Sequence, residues 1–284
     1  MSVAPQSVRI IEGDSPFAHL QRLLGRRDTV RYLVTSQLKA GQRDKVLGHL
    51  WNLLDPLLYM LVYFFVFGVL FGQGRGRSVD FMLYIISGVL TWRFFDASIN
   101  QCVMCVRSNR GLIQEINFPK SVFPVAVCLA RLYDFCWGLV VLLLVLLVTG
   151  HFPGINVLWL PFLVAILVAF AMGLGFLAAY VGAFFADTQN VMTVALRLWF
   201  YTSPIFYHVS GPNALEPLTK HPNIKAIYMS NPMACIMEGV RDVTLNSRPP
   251  DLEYTVYAAS VALATLIVGF CVFTRGEGKF AKYV

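Results

Sequence analysis

The sequence predicts an all-α integral membrane protein: six transmembrane helices behind a basic, amphipathic amino-terminal lead-in, all in one domain spanning residues 1–284. Three observations predict it. Hydrophobic residues make up 57% of the 284 and charged residues only 14%, with mean hydropathy +0.61, against about 25% charged in an ordinary soluble domain. The apolar residues come in runs long enough, at about 1.5 Å per helical residue, to cross a hydrocarbon layer ~30 Å thick. The basic residues flank these runs, so the pI near 9.2 reflects membrane topology and no nucleic-acid partner is expected.

The runs cover about 53–71, 81–104, 122–149, 157–185, 191–208 and 255–273. A basic stretch from Arg22 to Lys45 leads through Leu47-Gly-His-Leu-Trp51 into the first, whose one charge, Asp55, is followed at once by Pro56. That lead-in puts the amino end in the cytoplasm. The third and fourth runs are long enough to tilt. In this orientation fourteen Lys and Arg lie in cytoplasmic segments, six lie outside, and Arg93, Arg131 and Arg197 fall within spans. An even number of spans returns the carboxy terminus to the cytoplasm. The first thirty residues lack an apolar core and a small-residue cleavage site, so no removable signal peptide is expected.

Two connections carry more than a linker needs. Between the second and third spans, Leu112, Ile113 and Ile116 form one face of a short helix, either a plug for a partner's groove or a loop lying on headgroups. The segment 209–254 is punctuated by Pro212, Pro217, Pro222, Pro232, Pro249 and Pro250. Within it, Asn231-Pro232 reads as an N-cap with proline at the first helical position. Met233, Ile236, Met237 and Val240 then recur at helical spacing, with Glu238, Arg241 and Asp242 expected to turn away. Such a helix is too short to span; it lies at the outer interface or dips into it.

Charges inside spans are costly and therefore informative: Asp55, Arg93, Asp96, Arg131, Asp134 and Arg197. Arg93/Asp96 and Arg131/Asp134 are spaced i,i+3, so each pair either neutralises itself on one helix face or contributes to a polar lane for hydrophilic cargo, Arg93 foremost. Aromatic residues form 14% of the chain. Most suit lipid contact or packing, but a ring facing a lumen stacks on the C–H faces of sugars, and Tyr63, Trp199 and Tyr207 are the candidates. Gly175/Ala179 and Ala178/Gly182 are small-xxx-small spacings for close helix approach.

Several chemistries have no motif. There is no G-x-x-x-x-G-K-[ST], so this chain is not itself a P-loop ATPase, and the five histidines form no H-E-x-x-H. Cys102-Val-Met-Cys105 is a lone C-x-x-C that fits small buried hydrophobes better than a redox or metal site. No metal, no catalytic residue and no cofactor bound by this chain are expected. An enzyme acting on polyprenyl phosphates would need a carboxylate or histidine cluster at the membrane face, and a secondary transporter would show similar halves.

Several motifs together are similar to a known family. They are Leu47-Gly-His-Leu-Trp51 with Asp55-Pro56 and Val62-Tyr-Phe-Phe-Val-Phe67; Tyr84-Ile-Ile-Ser-Gly-Val-Leu-Thr-Trp92 with Phe94-Phe95; Asn109-Arg-Gly-Leu-Ile113; Asn117-Phe-Pro-Lys120; Trp199-Phe-Tyr-Thr-Ser-Pro-Ile-Phe-Tyr207; Asn231-Pro-Met233; and Glu238-Gly-Val-Arg-Asp242. In this order, over about residues 30–245, the chain resembles the membrane permease subunit of type-2 ABC exporters of O-antigen, teichoic acid and related envelope glycans. It departs from that pattern at Phe185-Ala186-Asp187, where an arginine is common, and in Gly41-Gln-Arg-Asp-Lys45.

The resemblance implies a cytoplasmic interface helix over about 22–48, a coupling helix over 107–118 and short re-entrant outer helices before the sixth span. It implies two permease copies forming the channel and two separate ATPase subunits beneath them, which hold the ATP and Mg. ATPase coupling would then fall to Arg110, Leu112, Ile113, Glu115 and Ile116, and the outer gate to Met233, Ile236, Met237 and Val240. A polyprenyl-pyrophosphate-linked glycan would be admitted from the membrane lipids at Arg27, Arg31, Arg43 and Lys45, cations that also suit topology and headgroup binding. It would then pass Tyr63, Arg93, Trp199 and Tyr207. A permease for a drug or lipid shares the same helices and partner, and the character of the cavity separates the two.

Overall fold

In the computed structural model of the chain, the described residues are 16–42, 77–115, 118–209 and 220–283, with positions 54, 58, 61, 62, 65 and 66 of the first apolar run. Among them the regular structure is helical: α1 (Pro16–Gly25), α2 (Arg27–Gln42), α3 (Arg77–Ser108), α4 (Arg110–Glu115), α5 (Val122–Val148), α6 (Leu160–Phe184, entered by a 3₁₀ turn Ile155–Trp159), α7 (Thr188–Thr202), α8 (Pro222–Met229), α9 (Pro232–Thr244) and α10 (Leu252–Tyr283). Four stretches are long and apolar enough to cross a membrane: Val79–Ser108, Val122–Val148, Ile155–Phe184 and Leu252–Phe280. They correspond to the second, third, fourth and sixth expected spans. The first, 53–71, lies outside the described residues except at those isolated positions.

Local chemistry accounts for where the helices break. The expected lead-in helix 22–48 is instead two helices, because Gly25 weakens the first and the Arg26 carbonyl accepts from the Val30 N–H to start a new one. Beyond Gln42 the lead-in lies outside the described residues. The expected fifth span, 191–208, is a helix of 15 residues, Thr188–Thr202. Ser203, held extended at φ −98°, ψ 148°, ends it; the next residue is Pro204, which disfavours helical backbone in the residue before it. At about 1.5 Å per residue α7 falls short of a ~30 Å layer.

Helices α3 and α6 occupy the middle, α6 lying along both α3 and α10 while α5 flanks α3. The fourth run's small residues permit this. A Cβ at Gly182 would sit 2.1 Å from the Val103 carbonyl oxygen, and one at Gly269 would sit 2.2 Å from that of Gly173. Gly175, Ala178, Ala179 and Gly182 are all buried, so these spacings serve packing within the chain. On the outside, Trp137, Val140, Leu144 and Leu147 of α5 and Leu263, Ile267 and Val268 of α10 stand exposed in apolar rows suited to hydrocarbon.

The amino-terminal end of the bundle has its own core, where Leu33 of α2, Ile113 of α4, Phe118, Val122 and Phe123 meet Phe273 and Phe280 of α10. There the buried Glu277 accepts a hydrogen bond from the Lys120 backbone N–H at 2.7 Å, and His19 Nδ1 of α1 lies 3.7 Å from its other oxygen.

Close helix contact through backbone predicts sensitivity to one methyl group. Gly269→Ala should cost about 1–3 kcal/mol by overpacking and lower the melting temperature of the detergent-solubilised protein. Gly278→Ala, where a Cβ meets nothing within 4 Å, should leave it level or raise it.

Candidate functional site

At the end of the bundle opposite α1, the 13-residue helix α9 is buried on every side. Asn231 caps it, its Oδ1 accepting from the Met233 N–H at 3.1 Å, with Pro232 at the first position. The four expected gate residues, Met233, Ile236, Met237 and Val240, are each no more than 1% exposed and pack into the main core beside Leu163, Ile166, Ala258 and Ala262.

The polar residues of α9 correct the sequence expectation. Glu238, Arg241 and Asp242 are expected to turn away from the apolar row, yet that face too is covered, with Arg241 1% exposed and Asp242 5%. Arg241 is met by α9 itself and by α3, and Asp242 by the turn that follows α9. Arg241 Nη1 donates to Glu238 Oε1 at 2.8 Å, Nη2 to the Tyr84 carbonyl at 3.2 Å, and Nε to Ser87 Oγ at 3.4 Å. The guanidinium carbon lies 3.4 Å from the centre of the Tyr84 ring, a cation–π contact. Gly88 provides the space, since a Cβ there would lie 2.5 Å from Arg241 Nη2. Asp242 accepts from Arg248 at 2.7 Å and Asn246 at 3.0 Å; burial pushes its carboxyl above the usual range, against those two hydrogen bonds.

Tyr84 links this pair to the surface. Its hydroxyl lies 2.8 Å from the Tyr207 carbonyl and 2.9 Å from Glu238 Oε1, one proton shared between two acceptors. The His208 ring lies 3.8 Å from the Tyr84 ring, centre to centre. The Tyr207 hydroxyl in turn bonds the Tyr228 hydroxyl of α8. Burial first, and the Tyr207 hydroxyl second, push the Tyr228 phenol well above its ordinary value, so it stays protonated.

Above this network opens a pocket of about 530 Å³ whose walls include Trp199, Tyr201, Thr202, Tyr207, Tyr228 and Asn231. Its size falls within the ~300–1,000 Å³ of sites that hold small organic ligands. Trp199 is fixed on both sides: its Nε1–H donates to Asn231 Oδ1 at 3.0 Å, and its ring meets Phe95 and Phe170 edge-on at 5.2 and 6.1 Å. Asn231 Nδ2 reaches Ser203 Oγ at 3.2 Å, joining α9 to the end of α7. The pocket presents aromatic faces beside hydroxyl and amide groups, an arrangement that stacks on and hydrogen-bonds a polyhydroxylated ring.

Of the candidate path residues, Trp199 and Tyr207 come together here, Tyr63 lies outside the described residues, and Arg93 stands exposed on α3 away from the pocket walls. Arg131 and Asp134 form the anticipated pair at 2.7 Å. Asp96 accepts from Asn100 at 3.1 Å, and Asn100 Oδ1 from Thr193 at 3.3 Å, a polar seam between α3 and α7. Arg27 and Arg31 are exposed on α2; Arg43 and Lys45 lie outside the described residues. The expected coupling helix 107–118 is shorter, because α3 continues to Ser108 and α4 covers only Arg110–Glu115. Arg110 and Gln114 are exposed, Leu112 is half-buried and Ile113 is buried against the protein's own core. Glu115 closes α4 and Ile116 lies outside the described residues. Among the described residues no His, Cys, Asp and Glu group could hold a metal.

Sequence reasoning missed Tyr84, Ser87, Gly88 and Tyr228 as site residues. The signal was present: Tyr84-Ile-Ile-Ser-Gly88 and Glu238-Gly-Val-Arg241 are two of the recurrent motifs, and they fold against each other.

Leaving one member of a buried ion pair unmatched costs about 3–5 kcal/mol, whereas removing both costs far less. Glu238→Leu alone should therefore destabilise the solubilised protein more than Glu238→Leu combined with Arg241→Met, read as melting temperature of the two variants side by side.

The comparisons with known proteins agree with this architecture. The family model described as ABC-2 type transporter matches residues 29–245. The chain is 28% identical over 252 residues to the O-antigen export system permease protein RfbA of Myxococcus xanthus, covering 89% of this chain and 94% of that protein. It is 24% identical over 256 residues to an RfbA of Klebsiella pneumoniae, covering 90% and 94%. It is also 24% identical over 261 residues to the polysialic acid transport protein KpsM of Escherichia coli, covering 89% and 96%.

Proposed function

Since the chain belongs to the ABC-2 type transporter family, we propose that it is the permease subunit of an ATP-driven exporter that moves a lipid-pyrophosphate-linked polysaccharide out of the cytoplasm. The observation that carries the glycan reading is the pocket at Trp199 and Tyr207, with its aromatic walls and hydroxyl-bearing rim. The curated relatives, named for O-antigen export and polysialic acid transport, support the same substrate class.

The channel lies between two copies of the chain in the plasma membrane. Helix α7 supports this: Asn190, Arg197, Tyr201 and Thr202 are exposed along it among Val191, Val194 and Leu198. Hydrocarbon does not accommodate an arginine and an asparagine on one face, whereas a water-containing path does. Both termini lie in the cytoplasm, where two ATPase subunits bind and hydrolyse ATP. Ile113 roots the coupling segment in the core shared with α2 and α10, and Arg110 and Gln114 face the partner. The glycan's pyrophosphate head is admitted at Arg27, Arg31, Arg43 and Lys45, because phosphate oxygens favour clustered cations. On the outside, α9 gates as one body, since its four apolar residues and Arg241 are all held in the core.

Two measurements test these assignments. Tagged protein drawn from mild detergent should bring down a nucleotide-binding subunit in equal amount, and Arg110→Glu with Gln114→Glu should reduce that recovery about tenfold at unchanged membrane level, the arithmetic of ~1.4 kcal/mol. A clean preparation without such a subunit refutes the exporter. Arg43→Ala with Lys45→Ala should lower export while insertion holds; equal export at equal protein level removes the pyrophosphate role.

A further inference from the structure

The same pocket bears on which sugars are carried, an inference that rests on the exporter reading. We propose that it accepts uncharged sugar rings, and that the glycan this permease carries has a neutral repeat.

The composition of the pocket is the first ground. Its described walls are Trp199, Tyr201, Thr202, Tyr207 and Tyr228 with Ile227, Ser230, Asn231 and Pro232 between them, and none carries a formal charge. A cation, best an arginine fork, is the side chain that would hold an acidic sugar against such walls. Among the described residues, Arg241 beneath this pocket is committed, since it is 1% exposed and its donors go to Glu238, Ser87 and the Tyr84 carbonyl, while Arg197, one turn before Tyr201 on α7, is not among the walls.

The second ground is how the hydroxyls are held. Tyr84 gives its single proton to Glu238 and to the Tyr207 carbonyl, which fixes the Tyr207 backbone from below. Tyr207 and Tyr228 share one hydrogen bond between their hydroxyls. Two phenols have two protons, so that bond uses one and leaves the other to donate outward, with lone pairs beside it to accept. A neutral pyranose offers hydroxyls that donate and accept alternately along its edge and C–H groups on its face. The phenol pair meets the edge; Tyr201, 65% exposed, and Trp199 meet the face. The ion pair below remains a prop, and its charge does not reach the ligand.

The test deletes the gene in its native host and analyses the glycan that accumulates on its lipid carrier, alongside complementation by variants. The expected result is an accumulated glycan whose repeat contains no carboxylate or phosphate. Complementation by Tyr201→Ala should lower export about tenfold at equal protein level, through loss of one exposed stacking face, and Tyr201→Phe should restore most of it. An accumulated repeat bearing carboxylate or phosphate overturns the neutral assignment and leaves the exporter standing. Full export by Tyr201→Ala takes the pocket off the glycan's path and overturns the assignment as well. No accumulated glycan at all overturns the exporter reading, and this inference falls with it.

Discussion

A buried guanidinium organises one end of this protein. Arg241 sits on a helix too short to cross a membrane, and its charge is met within that end by a carboxylate, a hydroxyl, a carbonyl and the face of a tyrosine. A buried, unmatched arginine costs several kcal/mol, so each of those partners has to be in place for α9 to lie where it does. Ser87, Gly88 and Tyr84 are therefore constrained together: one supplies an oxygen, one supplies room, and one supplies both a carbonyl and a ring. The result is a helix inside the bundle, joined to the long span α3.

That attachment gives the pocket one fixed wall. Asn231 caps α9, holds the Trp199 indole and reaches Ser203, so the start of α9, the end of α7 and the aromatic wall share one amide side chain. The remainder of α7 is attached less firmly, through a polar seam at Asn100 and Thr193 and a buried Leu196, with its other face exposed. In the proposed exporter this contrast has a use. A glycan of many repeats needs surfaces that hold each ring briefly, and an aromatic wall anchored at the end of a less tightly packed helix provides that without a closed binding site.

At the amino-terminal end a second buried charge has a related role. Glu277, near the end of α10, accepts the Lys120 N–H from the loop that follows α4 and approaches His19 of α1. Ile113 shares a core with Leu33 of α2 and with Phe273 and Phe280. The core that holds Ile113 of α4 thus also holds side chains of an amino-terminal helix and of the carboxy-terminal helix. Both ends of the bundle thus use a buried ionisable side chain, which at this end holds the loop after α4 against α10.

The helices long enough to cross a bilayer, their order and the helix starting at Asn231-Pro232 were legible in the sequence, because run length, helical spacing and proline geometry are local properties. So was the i,i+3 pair Arg131/Asp134. Local signals also existed for two breaks that were not anticipated: Gly25 in the lead-in and Pro204 in the fifth run. The direction in which Arg241 and Asp242 point was not legible. Helical spacing says which residues share a face; whether the opposite face meets lipid, water or protein depends on what other elements bring to it. Tyr84 and Arg241 stand 157 residues apart along the chain and are joined by a hydrogen bond. The sequence by itself determined a helical membrane protein. Only the tertiary structure decided that Arg241 is buried, because the carbonyl, hydroxyl and ring that meet it on α3 stand 154 to 157 residues away along the chain.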